Sequence, residues 1–516
     1  MSKALLKSTT GVASMTLLSR VAGFVRDMVT ATLFGASAEF DAFSVAFRIP
    51  NLMRRLFAEG SFAQAFVPVL SEYQQKKSHT DIKHFINAVA GTLGVVLFVV
   101  TVLGILLAPL LIRLFAPGFS TEGARFPLAV EMLRITFPYL LLISLTAFAG
   151  ATLNTYSRFL VPAFTPLWLN ICMITAAVGL SRFFHMPIFA LAWGVLIAGF
   201  VQLFFQLPFL KKMDLMPQPT VSFRDPGVRR VLKLMVPALF GVSVAQINLL
   251  VDTLFASLLV VGSVSWLYYS DRLMEFPLGV IGVAISTVIL PHLSRHHAGR
   301  AEGEFSAVID WALRCVLLVG LPAAVIFAVI AGPLLSTLFQ RGHFDAHAVL
   351  MTQKSLSMFA LGITPFMLVK ILAAGFYARQ DMRTPVRIGM LAMISNMVFV
   401  VFLVWPFKHA GIALATSLSA MMNSGLLFYF LKKRQHYSPR SEWGVFGLRL
   451  LIANVILAIW LWFLSGDISV WLSATTLWRV EHLSILMLSS GAIYLAVLWL
   501  TGMRLRHVMV QLSHAL

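Results

Sequence analysis

Two long apolar segments near the N-terminus, residues 9–34 and 41–70, carry many charged side chains. Each is long enough to cross a bilayer, which takes roughly 20 mainly apolar residues in a helix. Their ionisable residues are Arg20, Arg26, Asp27, Asp41, Arg48, Arg54, Arg55 and Glu59. Because an ionised side chain at the bilayer centre costs about 2.5–3.5 kcal/mol on insertion scales, these groups must face something other than lipid. Either they line a water-filled cavity in a helical bundle, or the segments do not span a membrane.

The composition favours the membrane bundle. Hydrophobic residues make up 59% of the 516 residues and charged residues only 12%, whereas soluble proteins have about 45–50% and about 25%. The net charge of +19 fits basic loops on the cytoplasmic side of a membrane protein better than a nucleic-acid partner. Cys172 and Cys315 each lie in an apolar run, which argues against a disulfide framework or a metal site.

Scanning for apolar runs of sufficient length predicts an all-α polytopic membrane protein with about fourteen transmembrane helices. The predicted spans are residues 9–34, 41–70, 84–114, 128–153, 160–181, 187–210, 230–258, 267–292, 307–331, 346–376, 386–405, 411–431, 447–465 and 483–502. With the N-terminus in the cytoplasm, the inner loops of this layout hold most of the Lys and Arg residues outside the spans. The bias indicates that both termini are cytoplasmic.

A weak internal repeat relates spans two and four to spans eight and ten. Arg55-Leu56 followed by Glu59 in span two resembles Arg272-Leu273 followed by Glu275 in span eight. Ile135-Thr136-Phe137-Pro138 likewise resembles Ile363-Thr364-Pro365-Phe366. Two repeats of six spans are typical of transporters that hold substrate between their halves. We therefore expect two six-helix lobes, residues 1–215 and 216–440, and an additional C-terminal helix pair, residues 441–516.

The arginines indicate the charge of the ligand. Span eight places Asp271, Arg272 and Glu275 within one helical turn, where the carboxylates can position the guanidinium. A guanidinium binds phosphate oxygens bidentately, which the ammonium of lysine does not. Arginines from both repeats around one cavity therefore suggest a phosphate or pyrophosphate ligand.

Several charged residues in the spans have a structural alternative. Arg20 and Asp27 share a helical face and could simply neutralise each other, whereas Arg26 has no obvious partner within its span. Pro50 is expected to interrupt the second span, and Arg54 and Arg55 could bind lipid head groups at the inner surface. Asp252, in span seven, is either a cation site or a hydrogen-bonded structural residue.

Three stretches carry a family resemblance. They are SRVAGFVRD, FDAFSVAFRIPNLMRRLFAEGSFAQAFVP and SWLYYSDRLMEFPLGVIGVA, which begin at residues 19, 40 and 265. The chain resembles the MurJ (MviN) family of bacterial lipid II flippases through residues 10–440, and more weakly beyond. The resemblance implies a MATE-like fold of the MOP superfamily, with a central cationic cavity and a lipid-facing groove formed by the last two spans.

The resemblance also implies a substrate and residue roles. The substrate is lipid II, an undecaprenyl-pyrophosphate-linked disaccharide pentapeptide, which is flipped across the bacterial cytoplasmic (inner) membrane for peptidoglycan synthesis. The substrate-binding arginines carried over by motif are Arg20, Arg26, Arg54 and Arg272. The supporting or gating residues are Asp27, Asp41, Arg55, Glu59, Asp271 and Glu275. A sodium site, which is described in some family members, would fall around spans seven and eleven. Asp252 lies in span seven, but span eleven offers only Asn396 as a polar partner, so the resemblance does not assign sodium to this chain.

The absence of enzyme motifs bears on the energy source of the protein. The sequence has no Walker A loop, GxSxG, HExxH or Cys/His cluster, so we expect a transporter without a cofactor rather than an enzyme. Uphill movement would then depend on the membrane potential or on a monovalent cation, Na⁺ or H⁺. Besides lipid II and the bilayer, the cell-wall synthesis or division machinery is a conceivable partner.

Three other functions remain open. Another MOP-superfamily transporter would flip a different lipid-linked glycan or export a drug, but a cation exporter should have surplus carboxylate in its cavity, and here arginine is in surplus. A membrane scaffold that translocates nothing would not need charges at matched depth in two repeats. An enzyme of lipid-linked sugar metabolism would need a set of catalytic residues, and the sequence has none of the catalytic motifs named above.

Overall fold

A computed structural model describes residues 3–119, 123–279, 293, 302–434, 437–439 and 442–503, and every regular element among them is helical. Contacts divide the chain into two compact units, residues 1–265 and 266–516. The first unit contains α1 Lys3–Phe34, α2 Ala38–Arg54, α3 Ala63–Lys76, α4 His79–Leu106, α5 Ala108–Phe115, α6 Arg125–Thr136, α7 Tyr139–Thr155, α8 Leu160–Thr175, α9 Phe189–Lys212 and α10 Pro226–Ser257. Helix α11, Ser263–Pro277, begins at its end.

The second unit continues from α11. Its helices are α12 Glu302–Val329, α13 Ala331–Leu338, α14 Ala346–Ala378, α15 Arg383–Phe407, α16 His409–Lys433, α17 Trp443–Ser465, α18 Ile468–Ser473 and α19 Thr476–Leu500. Within this unit, α14 packs extensively on both α12 and α16, and α15 packs on α16.

Ten helical segments of the described residues are long and apolar enough to cross a membrane. They coincide with ten of the predicted spans. The other four predicted spans, residues 9–34, 41–70, 230–258 and 267–292, include those richest in charge, and residues 280–292 lie outside the described part. The helical membrane fold is therefore confirmed, whereas the count of fourteen stays a prediction.

The second predicted span departs from its expected shape. Pro50 lies buried inside α2 and does not end it, so the predicted interruption at Pro50 is wrong. The irregularity follows instead as a π-helical turn over Arg55–Phe62. The wider π turn alters the direction of the side chains after Arg54, and the Ser61 hydroxyl donates to the Leu56 carbonyl at 2.5 Å. The turn, rather than the proline, is therefore the irregularity in this predicted span.

Aromatic rings make the core beside this turn. The Phe66 ring lies 5.0 Å from Phe62, 5.7 Å from Phe85 and 5.2 Å from Phe148, measured between centroids. These side chains are almost fully buried and come from the π turn, α3, α4 and α7. Aromatic contacts at such distances add about 0.5–1.5 kcal/mol each beyond the area that they bury. The π turn is thus held by a packed core on one side.

The loop between α9 and α10 is fastened to α4. The Gln218 N–H donates to Asn87 Oδ1 at 2.8 Å and the Ser222 N–H donates to Thr92 Oγ1 at 3.1 Å. Lys83 Nζ lies 2.5 Å from Asp214 Oδ2, and this hydrogen bond, with that from His79, lowers the pKa of the Asp214 carboxyl. Helix α10, the seventh predicted span, packs against α3 and the π turn and so falls in the first compact unit. The predicted lobe boundary at residue 215 stays a prediction.

The C-terminal helix pair is part of the second unit. Buried Leu450, Trp471 and Leu486 form its core, against which side chains of α12 pack. The Tyr494 hydroxyl donates to the Leu318 carbonyl at 2.7 Å, and Arg479 donates to backbone carbonyls of α13, its following loop and α18. The pair is therefore anchored by polar as well as apolar contacts.

Candidate functional site

Arg26 is the most enclosed of the predicted cavity arginines, with 7% of its surface exposed. Its Nε and Nη2 donate to Asp27 Oδ1 at 3.0 and 2.7 Å, and its Nη1 donates to Asn170 Oδ1 at 3.0 Å. The expectation that Arg26 has no partner within its span is wrong. Adjacent helical positions point about 100° apart, but the long arginine side chain folds back to reach its neighbour. Asn170 in turn donates to the Ser19 carbonyl at 3.1 Å, which fastens α8 to α1.

Arg20, one turn and a half earlier on α1, is half-buried and makes no ion pair or hydrogen bond with the described residues. Asp27 is paired with Arg26 and not with Arg20. The alternative in which Arg20 and Asp27 neutralise each other is therefore wrong. Of the two arginines, Arg20 is the more exposed residue.

Asp41 is completely buried near the start of α2. Its Oδ2 accepts from the Gly262 N–H at 2.8 Å, and its Oδ1 accepts from the N–H and the hydroxyl of Ser265 at 2.9 and 2.5 Å. Arg125 Nη1 lies 3.8 Å from Oδ2, which is an ion-pair distance rather than a hydrogen bond. Asp41 thus caps the N-terminus of α11, where a carboxylate is stabilised by the unpaired N–H groups and the helix dipole.

Helix α10 contacts the second predicted span through Thr253. Arg48 Nη1 donates to Thr253 Oγ1 at 2.5 Å and so joins α2 to α10. Asp252 is half-buried beside this contact in the sequence. Its assignment as a cation site stays a prediction.

Arg54, the last residue of α2, lines a cavity of about 410 Å³ inside the first unit. Its Nε donates to Asn51 Oδ1 at 3.0 Å, which directs the guanidinium. Arg55, at the start of the π turn, is half-buried. The backbone of Glu59 lies in the same turn, but its side chain is outside the described part of the chain.

Of the described residues that line this cavity, only Arg54 is charged at neutral pH. Its polar wall is a hydrogen-bonded chain in which Tyr139 donates to Gln202 Oε1 at 3.2 Å and Gln202 Nε2 donates to the Thr165 carbonyl at 3.2 Å. Gln206 Nε2 donates to Thr165 Oγ1 at 2.8 Å. The wall therefore combines amides and hydroxyls from α7, α8 and α9.

In the second unit, α11 carries the other predicted arginine. Arg272 Nη1 lies 2.9 Å from Glu275 Oε2, and the guanidinium carbon lies 5.1 Å from the Tyr268 ring centroid. Both partners of this ion pair are partly exposed, so the pair can open to a ligand. Asp271 is half-buried on the same helix. The predicted pairing of Arg272 with Glu275 is confirmed.

Sequence reasoning overlooked the uncharged residues of this site. Asn170 is a lone amide in the apolar run WLNICMIT, and Gln202 and Gln206 are four residues apart in FVQLFFQLPF. A polar residue within a span is itself a signal, because its burial in lipid is costly. Across the described residues, no three His, Cys, Asp or Glu side chains lie close enough to hold a metal ion.

Comparison with known proteins supports one family. A family model described as "Lipid II flippase MurJ" matches residues 30–481. The probable lipid II flippase MurJ of Haemophilus influenzae is 46% identical over 511 residues, which cover 96% of this chain and 100% of that protein. The lipid II flippase MurJ of Burkholderia cenocepacia is 43% identical and 96% of each chain is covered.

Solved structures agree with the helical arrangement. Lipid II flippase MurJ in an inward closed conformation matches with a TM-score of 0.80 at 25% identity, covering 94% of this chain and 97% of that one. An inward-facing MATE multidrug transporter of the MOP superfamily matches with a TM-score of 0.68 at 12% identity, covering 82% and 97%. The second likeness shows the fold alone, and it confirms the prediction of a MATE-like fold.

Proposed function

The chain belongs to the MurJ family of lipid II flippases, and we propose that it moves lipid II from the inner to the outer leaflet of the bacterial cytoplasmic membrane for peptidoglycan synthesis. The observation that carries this proposal is the placement of arginine inside a membrane-spanning bundle. Arg26 is enclosed by polar partners, Arg54 borders a cavity, and Arg272 is partly accessible in an ion pair that can open. Guanidinium groups bind a pyrophosphate, and their positive charge repels a cationic drug.

Translocation would follow alternating access. We propose that Arg20, Arg26, Arg54 and Arg272 each contact the pyrophosphate in the course of this cycle. Asp27 and Glu275 keep Arg26 and Arg272 oriented, which their ion pairs support. Asp41 positions α11 and with it Arg272, since it caps the first turn of that helix. Arg55, Glu59 and Asp271 are proposed to support these groups.

The lipid tail remains in the bilayer during this movement. We propose that it lies along a groove between α17 and α19, whose outward faces expose large apolar side chains such as Leu451, Trp462 and Leu488. Both termini are proposed to be cytoplasmic, in accord with the basic loops. The membrane potential or a monovalent cation bound near Asp252 supplies the energy.

Depletion tests the proposal directly. Cells that rely on this protein as their flippase are depleted of it, and lipid II exposed on the outer face of the cytoplasmic membrane is then measured. We expect the exposed fraction to fall as the protein disappears, while total lipid II rises. Undiminished exposure in cells without another flippase would refute the proposed function.

Arg272→Ala tests the role of α11. The variant should lower flipping about 10- to 100-fold, because hydrogen bonds to charged groups contribute about 1.5–3 kcal/mol each. Arg272→Lys should also be impaired, since lysine cannot bind phosphate bidentately. Flipping is measured in reconstituted vesicles, with Phe276→Ala, an exposed residue of the same helix, as the matched control. Full flipping by Arg272→Ala would remove this residue from the site.

A further inference from the structure

The cavity inside the first unit has features that binding of a pyrophosphate does not explain. It has a volume of about 410 Å³, within the range of roughly 300–1,000 Å³ for small-molecule sites. Its walls come from α2, α3, α7, α8 and α9. We propose that this cavity binds the sugar portion of the translocated head group, through its hydroxyl and acetamido groups. The inference rests on the proposed lipid II substrate and assigns a subsite for its uncharged part.

The charge of the lining supports an uncharged ligand. Among the described lining residues, Arg54 is the only one with a charged side chain at neutral pH. The other polar groups are Tyr139, Thr146, Asn154, Thr165, Gln202 and Gln206. Amides and hydroxyls both donate and accept hydrogen bonds, which is what sugar hydroxyls and acetamido groups require. Among these described residues, the carboxylates of the stem peptide would have Arg54 as their only charged partner.

Gln206 has a side-chain acceptor, Oε1, that is available to a hydrogen-bond donor of the ligand. The residue is 2% exposed, and while its Nε2 donates to Thr165 Oγ1, its Oε1 accepts no hydrogen bond from the described part of the protein. Buried polar atoms without a partner are uncommon, so each calls for an explanation. A Cβ atom added at Gly150, which lines the cavity, would lie 3.5 Å from this oxygen. A ligand O–H or N–H resting against Gly150 would therefore come within reach of Gln206.

The apolar part of the lining complements the carbon face of a sugar. Tyr139, Ile143, Pro166 and Leu169 present rings and aliphatic carbon to the cavity. Small-molecule sites commonly combine such surfaces with a few polar groups that set orientation. Arg54 at one edge can hold the adjoining phosphate, since its guanidinium is directed by Asn51. Sugar and phosphate would then bind side by side, as they are linked in the substrate.

Narrowing the cavity tests the assignment. Ala147→Leu adds three carbon atoms to a half-buried lining residue. With full-length protein in lipid nanodiscs, we expect about tenfold weaker binding of undecaprenyl-pyrophosphoryl disaccharide, because small changes in pocket volume alter affinity 10- to 200-fold. Binding of undecaprenyl pyrophosphate, which lacks the sugars, should change less than about twofold, since only the sugar subsite is narrowed.

Two further variants control for misfolding. Ala163→Leu makes the same substitution at a half-buried residue of α8 that does not line the cavity, and it should bind both lipids as the unmodified protein does. Gly150→Ala adds one methyl group that would meet Pro162 and Gln206 at 3.4–3.6 Å, which is ordinary van der Waals contact. It should fold normally and weaken only the sugar-bearing lipid.

The outcomes separate this inference from the proposed function. Equal weakening of both lipids by Ala147→Leu and Gly150→Ala, or unchanged binding of the disaccharide lipid, would overturn the sugar subsite. A loss seen only when the pentapeptide is attached would assign the cavity to the peptide and overturn it as well. If the unmodified protein bound no lipid II and did not flip it, the proposed function would fail whatever the variants did.

Discussion

A strain that depends on the Arg26→Ala variant should fail to grow, with lipid II retained in the inner leaflet. The substitution removes a guanidinium that we place at the pyrophosphate, and it takes the Arg26 ion pair away from the buried Asp27 carboxylate. Breaking a buried pair from one side costs about 3–5 kcal/mol. We therefore expect lower thermal stability of the purified protein in addition to the growth defect, measured by tryptophan fluorescence on heating.

A double variant separates the two effects of this change. Arg26→Met with Asp27→Leu replaces the buried pair by apolar side chains, which is often neutral for stability. Stability should recover while growth should not, because the anion-binding guanidinium is still missing. Val25→Ala, on an exposed face of α1, is the matched control and should support growth. Normal growth of the double variant would show that Arg26 is only a structural residue.

Asp41→Ala should destabilise the protein by at least about 3 kcal/mol. Three donors from Gly262 and Ser265 lose their acceptor, and each buried donor left unsatisfied costs about 1–3 kcal/mol. The start of α11 would be released from α2, so flipping should fall as well. The measurement is the melting temperature of the purified protein, followed by flipping in reconstituted vesicles.

Asp41→Asn and a neighbouring carboxylate serve as controls. Asn keeps an acceptor and the capping geometry, so its melting temperature should lie between those of the unmodified protein and the alanine variant. Glu39→Ala changes a half-buried residue in the first turn of the same helix and should stay within about 0.5 kcal/mol. An unchanged melting temperature for Asp41→Ala would contradict the capping role.

The charge pattern of single helices anticipated part of the site. The i, i+3 spacing of Arg272 and Glu275 predicted their ion pair, because that spacing brings side chains together on any regular helix. The same approach failed for Arg26, whose partner is the adjacent residue and whose other contact comes from Asn170 on α8. It also failed at Pro50, where the helix continues and a π turn follows. Helical spacing predicts which side chains pair only where the helix is regular and both partners lie on that helix.

The sequence by itself determined the membrane class, the positions of most spans and the family. Apolar length, basic loops and motif spacing are local properties, and each is imposed by the bilayer or by neighbouring positions on one helix. Only the tertiary structure decided that Asp41 caps α11 and that Gln202, Gln206 and Thr165 line a cavity beside Arg54. These contacts join residues from separate helices, and their geometry depends on how the helices pack. No spacing within one segment encodes that packing.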